Sequence, residues 1–307
     1  MVVDAPIASA MFNKRLPARH LRLPARYLAF GGPAPKAPSH HMTSPDDLDG
    51  LLPRVQDIAE EAGAIAMRFF RSGLSTSARI WSKAGGSPVT EADVAVDTFL
   101  KIRLSAVLPG AGWLSEETAD DHRRLGRALV WIVDPIDGTR AFLSGSHDWS
   151  VAIALLRDDV PVLGIVYAPA HETLFLAERG RGARRNGDPI EVSRAPNLDG
   201  ISVAGPQPFV DRLEARVSGL KRPPRIPSLA LRIARVAEGA IDAGLVSADA
   251  RDWDIAAADL VLREAGGTLT GTDGAEPVYN RHEPSHGELV AASTGLHERL
   301  LAAIGTG

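Results

Sequence analysis

The stretch Asp134-Pro135-Ile136-Asp137-Gly138-Thr139 sets two carboxylates three positions apart around a proline, directly before a Gly-Thr pair. The residues ahead of it, Ala128-Leu129-Val130-Trp131-Ile132-Val133, are an apolar run of strand length. The pattern predicts a strand that ends at Asp134. Pro135 holds Asp134 extended and removes a backbone donor, which suits a strand closing in a tight turn. Gly138 and Thr139 can open a short helix whose first N–H groups have no partner in the helix and favour an anion. Carboxylates beside an anion site repel a phosphate unless a cation lies between them. The stretch therefore reads as a metal-plus-phosphate site.

Other acids could complete such a site. Asp93 follows the glycine-rich segment Trp81-Ser82-Lys83-Ala84-Gly85-Gly86-Ser87, and with Thr90 it resembles a helix capping pair. Its plain alternative is a first-turn carboxylate favoured by the helix dipole. Glu116-Glu117 close a short apolar segment, where paired acids are ordinarily solvated. Asp252-Trp253-Asp254 open a helix with Ile255, Ala258, Val261, Leu262 and Ala265 inward, ending at Gly266-Gly267.

The elements that must position these residues follow from periodicity. A capping Ser44 with Pro45 starts a long helix whose face is Leu51, Val55, Ile58, Ala62, Ile65 and Phe69, stopped by Gly73. A second helix after Thr90 buries Val96, Phe99, Leu100 and Val107. Val151–Leu156, Val162–Tyr167 and Thr173–Ala177 are β-rich runs, with a hairpin turn at Asn186-Gly187. Strands so close in sequence pair antiparallel, which makes residues 44–190 an α+β domain. Residues 191–307 alternate instead, with strands at 201–204, 240–246 and 289–292 and helices at 229–236, 252–265 and 294–304. That is a smaller α/β domain.

Composition narrows the classes. The chain has 307 residues, no cysteine and a net charge of −4. Disulfides, thiolate metal sites and a cysteine nucleophile are excluded, and a nucleic-acid backbone is disfavoured as a partner. No apolar run is long enough to span a bilayer. Residues 1–41 carry six Lys/Arg, six prolines and a single acid, Asp4. A leader of this kind, drawn to residue 43, reads either as a disordered extension, with a start at Met42, or as a transit-type peptide.

Taken together, Asp93, Glu116-Glu117, Asp-Pro-Ile-Asp-Gly-Thr at 134–139 and Trp253-Asp254 resemble the inositol-monophosphatase-like, Mg²⁺-dependent, lithium-sensitive phosphatases. The resemblance spans about residues 46–305 and implies their layered αβαβα sugar-phosphatase architecture. It implies two or three Mg²⁺ ions held by Glu116, Asp134, the Ile136 carbonyl, Asp137 and Asp254, with Asp93 an outer ligand. Asp93, Thr139 and Glu116 would be the catalytic group, Asp93 and Thr139 orienting the attacking water. Gly138 and Thr139 would bind phosphate, and Lys83, Asp254 and Arg232 would face the substrate. Hard oxygen ligands without His or Cys suit Mg²⁺, and phosphoryl transfer needs positioning and charge neutralisation rather than a protein nucleophile.

Within that family, Asp-Gly-Thr-Arg-Ala-Phe, Leu114-Ser115-Glu116-Glu117 and Gly164-Ile165-Val166-Tyr167-Ala168-Pro169 are most similar to bacterial 3′(2′),5′-bisphosphate nucleotidases. Ala141 departs from them, and histidinol-phosphate phosphatases share the Thr-Arg-Ala-Phe sequence. The resemblance implies a cytoplasmic enzyme, monomer or homodimer, that converts adenosine 3′,5′-bisphosphate to AMP and phosphate in sulfur assimilation. Inositol monophosphates and histidinol phosphate are the alternatives, and an inactive nucleotide sensor is the alternative of another class. Arg232 is either a second-phosphate contact or a solvated helix charge.

Overall fold

The computed structural model describes residues 50–82 and 88–305. The expected leader, the Ser44 cap and Lys83 lie outside the described residues. Helix α1 (Leu51–Met67) buries Leu51, Val55, Ile58 and Ala62 as their spacing requires, while Ile65 and Phe69 are half-buried. It stops at Met67, short of Gly73, because the Phe69 carbonyl is taken by the Thr76 hydroxyl and the Ser77 N–H. A two-stranded ribbon, β1 (Ile80–Ser82) and β2 (Pro88–Thr90), leads into α2 (Glu91–Val107).

Seven strands follow in one sheet whose order is that of the sequence: β3 (Gly112–Ser115), β4 (Leu129–Asp137), β5 (Ser150–Arg157), β6 (Val160–Ala168), β7 (Thr173–Glu178), β8 (Ala183–Arg185) and β9 (Asp188–Pro189). Only β3 and β4 pair in parallel; the rest is antiparallel, as expected. The β5–β6 and β8–β9 turns use Asp158-Asp159 and Asn186-Gly187, all four at positive φ, the geometry that matches the strands' twist. One expectation is corrected. The β4 ladder does not end at Asp134 but resumes at Asp137, opposite Ser150, across a bulge that houses Pro135 and Ile136. A bulge is where a sheet tolerates a residue without an N–H. Short helix α3 (Thr139–Ser144) then begins as expected.

The second sheet has the order β10-β11-β15-β13. It is built from β10 (Val203–Ala204), β11 (Ala243–Val246), β13 (Gly267–Gly271) and β15 (Leu289–Ser293), with β10 and β11 parallel. The strand expected at 240–246 is shorter because the Ala240 and Ile241 N–H groups close the preceding helix on the Arg235 carbonyl, and the one expected at 201–204 because Ile201 and Ser202 pair with Lys221 outside the sheet. The helices are α4 (Gln207–Glu214), α5 (Leu229–Ala237), α6 (Asp252–Glu264) and α7 (Thr294–Gly305), and β12 (Ala250–Arg251) with β14 (Ser285–His286) makes a small ribbon before α6. Neither α4 nor β13 is foreseen by the periodicity reading.

Alternation along the strands sorts the layers. In β4, Trp131 and Val133 face α1 and α2, while Val130 and Ile132 face α5 and α6. In the second sheet, Ala204, Val246 and Ala291 face α5 and α6, while Val203, Leu245 and Val290 pack with α4 and α7. The order is helices, sheet, helices, sheet, helices, the expected αβαβα arrangement. Gly164 on β6 lets α6 approach: a Cβ there would sit 2.5 Å from the Ala257 carbonyl oxygen. Among the described residues no helix is long and apolar enough to cross a membrane.

Candidate metal and phosphate site

The expected acids arrive from four elements. Asp93 is the third residue of α2, Glu116 follows β3, Asp134 and Asp137 flank the β4 bulge, and Asp254 is the third residue of α6. One carboxylate oxygen each from Asp134, Asp137 and Asp254 lie within 4.8 Å of one another. Asp93, Asp134 and Asp137 are buried; Glu116 is half-buried, and Asp254 keeps an edge open to a cleft.

Local chemistry explains each placement. Asp93 is a helix cap after all: its Oδ2 accepts from the Thr90 N–H at 2.7 Å and the Thr90 hydroxyl at 2.6 Å. Its Oδ1 lies 3.4 Å from the Thr139 hydroxyl, which is also 3.1 Å from the Ile136 carbonyl oxygen. The capping role and the proximity to Thr139 thus coexist. Asp254 repeats the device, accepting from the Arg251 N–H at 2.6 Å. Asp134 Oδ1 accepts from the Ile136 N–H at 3.0 Å, which folds the bulge. Gly138 starts α3 at φ 88°, and a Cβ there would meet the Asp148 carbonyl oxygen at 3.1 Å and Ser228 at 3.2 Å. A positive φ and crowding together demand glycine.

Asp137 does more than its spacing suggests. It caps α5, accepting from the Ser228 hydroxyl, the Leu229 N–H at 3.2 Å and the Ala230 N–H at 2.7 Å. Ser228 also lies 3.0 Å from the Ser150 hydroxyl and accepts from the Leu231 N–H. The carboxylate cluster is therefore joined to the helix that borders the cleft.

Electrostatics set the clustered carboxylates against one another. Burial, then the charges of Glu116, Asp137, Asp254 and Asp93, push the Asp134 carboxyl well above the usual carboxylate range. Burial and the Asp137 charge do the same to Asp254. Burial pushes Asp137 up to about 6, against the hydrogen bonds from Ser228, Ala230 and Leu229. A divalent cation would remove the repulsion, and an all-oxygen donor set fits Mg²⁺.

Arg232 is not a solvated charge. It is buried, with Nε 3.1 Å and Nη2 2.8 Å from the Ile226 carbonyl oxygen and Nη1 2.9 Å from that of Leu245. Burial lowers its pKa. It lines a cleft of about 790 Å³ with Arg225, Leu229, Val246, Asp249 and Asp254. Arg225 is exposed and, among the described residues, has no ion-pair partner. Its neighbour Arg222 pairs with Asp211 and Glu214.

Several supporting residues escape the sequence reading. Fully buried Asp252, which starts α6, pairs at 2.7 Å with both His286 Nε2 and the Asn280 N–H. Asn280 in turn accepts from the buried Arg124 at 2.6 Å. Asp97 accepts from the Ser115 and Thr118 hydroxyls on either side of Glu116. The missed signals are local ones: Ser228 stands directly before an amphipathic helix, and Asp97 is a charge within the apolar stripe of α2.

A model of the inositol monophosphatase family matches residues 51–306. Over 249 residues the chain is 36% identical to a histidinol-phosphatase of Mycobacterium tuberculosis, covering 75% of this chain and 89% of that protein. It is 32% identical to an inositol-1-monophosphatase of Mesorhizobium japonicum, covering 83% and 96%. To a 3′(2′),5′-bisphosphate nucleotidase CysQ of Aggregatibacter actinomycetemcomitans it is 30% identical, covering 76% and 88%. Among solved structures, the Thermotoga maritima IMPase superposes with a TM-score of 0.73 at 25% identity, covering 83% of this chain and 96% of that one.

Proposed function

The chain belongs to the inositol monophosphatase family, and from that premise we propose that it hydrolyses a small phosphate monoester with Mg²⁺ held by Glu116, Asp134, the Ile136 carbonyl, Asp137 and Asp254, with Asp93 outside them. The observation that carries the site is the approach of three deeply set carboxylates within 4.8 Å. When bound, Mg²⁺ supplies charge neutralisation and Lewis acidity to phosphoryl transfer. The chain's own residues do the positioning. The first-turn N–H groups at Gly138 and Thr139 face the phosphoryl oxygens. The Thr139 hydroxyl, 3.4 Å from Asp93 Oδ1, and the Asp93 carboxylate accept and align the attacking water. The leaving alcohol occupies the cleft bordered by Leu229, Arg232 and Asp254.

The relatives support histidinol phosphate and inositol phosphates at least as well as adenosine 3′,5′-bisphosphate, so the substrate lean of the Thr139-Arg140-Ala141 sequence is not upheld. We place histidinol phosphate and inositol 1-phosphate first. One observation favours a second reading. Arg225 has no ion-pair partner among the described residues and stands on the segment Pro223-Pro224-Arg225-Ile226-Pro227, held stiff by three prolines and by the Arg232 grip on the Ile226 carbonyl. A pre-positioned cation at the cleft suits an alcohol bearing a second phosphate, and thus the bisphosphate.

The test is phosphate release from the three substrates with Mg²⁺, with and without lithium. Mg²⁺-dependent, lithium-inhibited turnover of any one supports the phosphatase mechanism, and the preferred substrate decides between the readings. Silence on all three with metal bound would overturn these substrate assignments and favour a sensing role.

A further inference from the structure

Glu116 is the one proposed ligand that lies outside a helix or strand. β4 carries Asp134 and Asp137 inside a sheet, and α6 carries Asp254 within a helix, but Glu116 lies just past the last residue of β3. Its N–H reaches the Val133 carbonyl at 3.4 Å, a long extension of the parallel ladder. Residues 116–118 then turn away from the sheet. Glu116 lies near enough to Asp134 and Asp254 for its charge to act on both, so its place at the cluster depends on how this turn is held.

Asp97 holds this turn. One turn beyond Asp93 on α2, its side chain is 6% exposed and points into the gap under the Glu116 turn. Its Oδ1 accepts from the Ser115 hydroxyl and its Oδ2 from the Thr118 hydroxyl at 2.7 Å. Ser115 and Thr118 are the residues on either side of Glu116-Glu117, so a single carboxylate grips both ends of the turn. Ser115 tightens it further by accepting from the Glu117 N–H at 3.3 Å. The same helix also delivers Asp93 to Thr139, so α2 sets two flanks of the site from adjacent turns.

We infer that Asp97 is a positioning residue for Mg²⁺ binding, holding Glu116 at the cluster without touching metal or substrate. This rests on the reading of Glu116 as a metal ligand. Groups that orient a ligand in this way characteristically change metal affinity by about 10–100-fold when removed. A purely structural carboxylate would instead change thermal stability and leave affinity alone.

The experiment is calorimetric titration of the full chain with Mg²⁺, with melting curves alongside. Asp97→Asn should weaken Mg²⁺ binding by about 10-fold or more, and its phosphatase turnover should recover at saturating Mg²⁺. Thr118→Val, a milder change that keeps the Asp97–Ser115 arm, should weaken binding in the same direction and carries the test if Asp97→Asn does not fold. Combined with Asp97→Asn it should add nothing, since both remove one grip. Glu116→Gln is the reference. If Glu116→Gln weakens Mg²⁺ binding while both other variants stay within about twofold of the parent, Asp97 is structural and the inference fails alone. If Glu116→Gln itself binds Mg²⁺ as the parent does, the ligand assignment of Glu116 falls and takes the inference with it.

Discussion

Asp137 offers a quantitative test of how burial acts on the charge of the cluster. Its carboxyl is pushed from an ordinary 3.8 up to about 6, chiefly by burial. A proton is thus held more tightly in the folded chain than in the unfolded one. Between those two values the folded state carries the extra proton, so stability falls as pH rises and the loss is complete above about 6. The interval corresponds to about 3 kcal/mol. For a chain of this size that is a drop in Tm of about 6–12 °C. Other carboxylates titrate over the same range, so the informative quantity is the difference between metal-stripped parent and Asp137→Asn, which stays neutral throughout. Melting both by calorimetry across the interval, the parent should lose about 3 kcal/mol relative to the variant as pH rises. Asp134 adds to the loss in the same direction, because Asp137 is one of the charges raising it. Excess Mg²⁺ at neutral pH should restore the parent and leave the variant largely unmoved, the cation taking the place of the proton. Parallel curves, or a parent that gains on the variant with rising pH, would refute the argument.

Asp134→Asn should keep the fold, melt no lower than the metal-stripped parent, and lose about 10³-fold or more in kcat, as phosphate release would show; normal turnover would remove Asp134 from the metal site. Gly138→Ala should cost about 1–3 kcal/mol in a denaturant titration, because it forces a side chain onto φ 88° against Asp148 and Ser228. Arg225→Ala should raise KM for adenosine 3′,5′-bisphosphate about 10-fold while leaving histidinol phosphate unchanged; equal effects on both would sink the second-phosphate reading of the cleft. Arg124→Met should destabilise by about 1–3 kcal/mol in the same titration, since it strands the buried Asn280 oxygen and removes the partner of the half-buried Asp120.

The candidate site was legible in the sequence where local chemistry dictates local geometry. Thr90-x-x-Asp93 closes the same capping hydrogen bonds wherever a helix starts, and proline between two acids leaves a bulge or a turn as the few ways to place both carboxylates at a strand end. The helical and β periodicities likewise marked α1, α2, α5, α6 and the antiparallel run β5–β7. What the sequence could not carry depends on pairs far apart in the chain. Asp137 meeting Ser228 and Asp97 gripping Ser115 and Thr118 are set by how α5 and α2 pack on the seven-stranded sheet. Whether Arg232 is a second-phosphate contact or a solvated charge stayed open in the sequence because an isolated helix cannot show that the Ile226 and Leu245 carbonyls wait for it. Residue type and spacing determined which groups could do the chemistry. Tertiary packing decided which oxygens stand within 4.8 Å of each other, and burial there decided how tightly each carboxyl holds its proton.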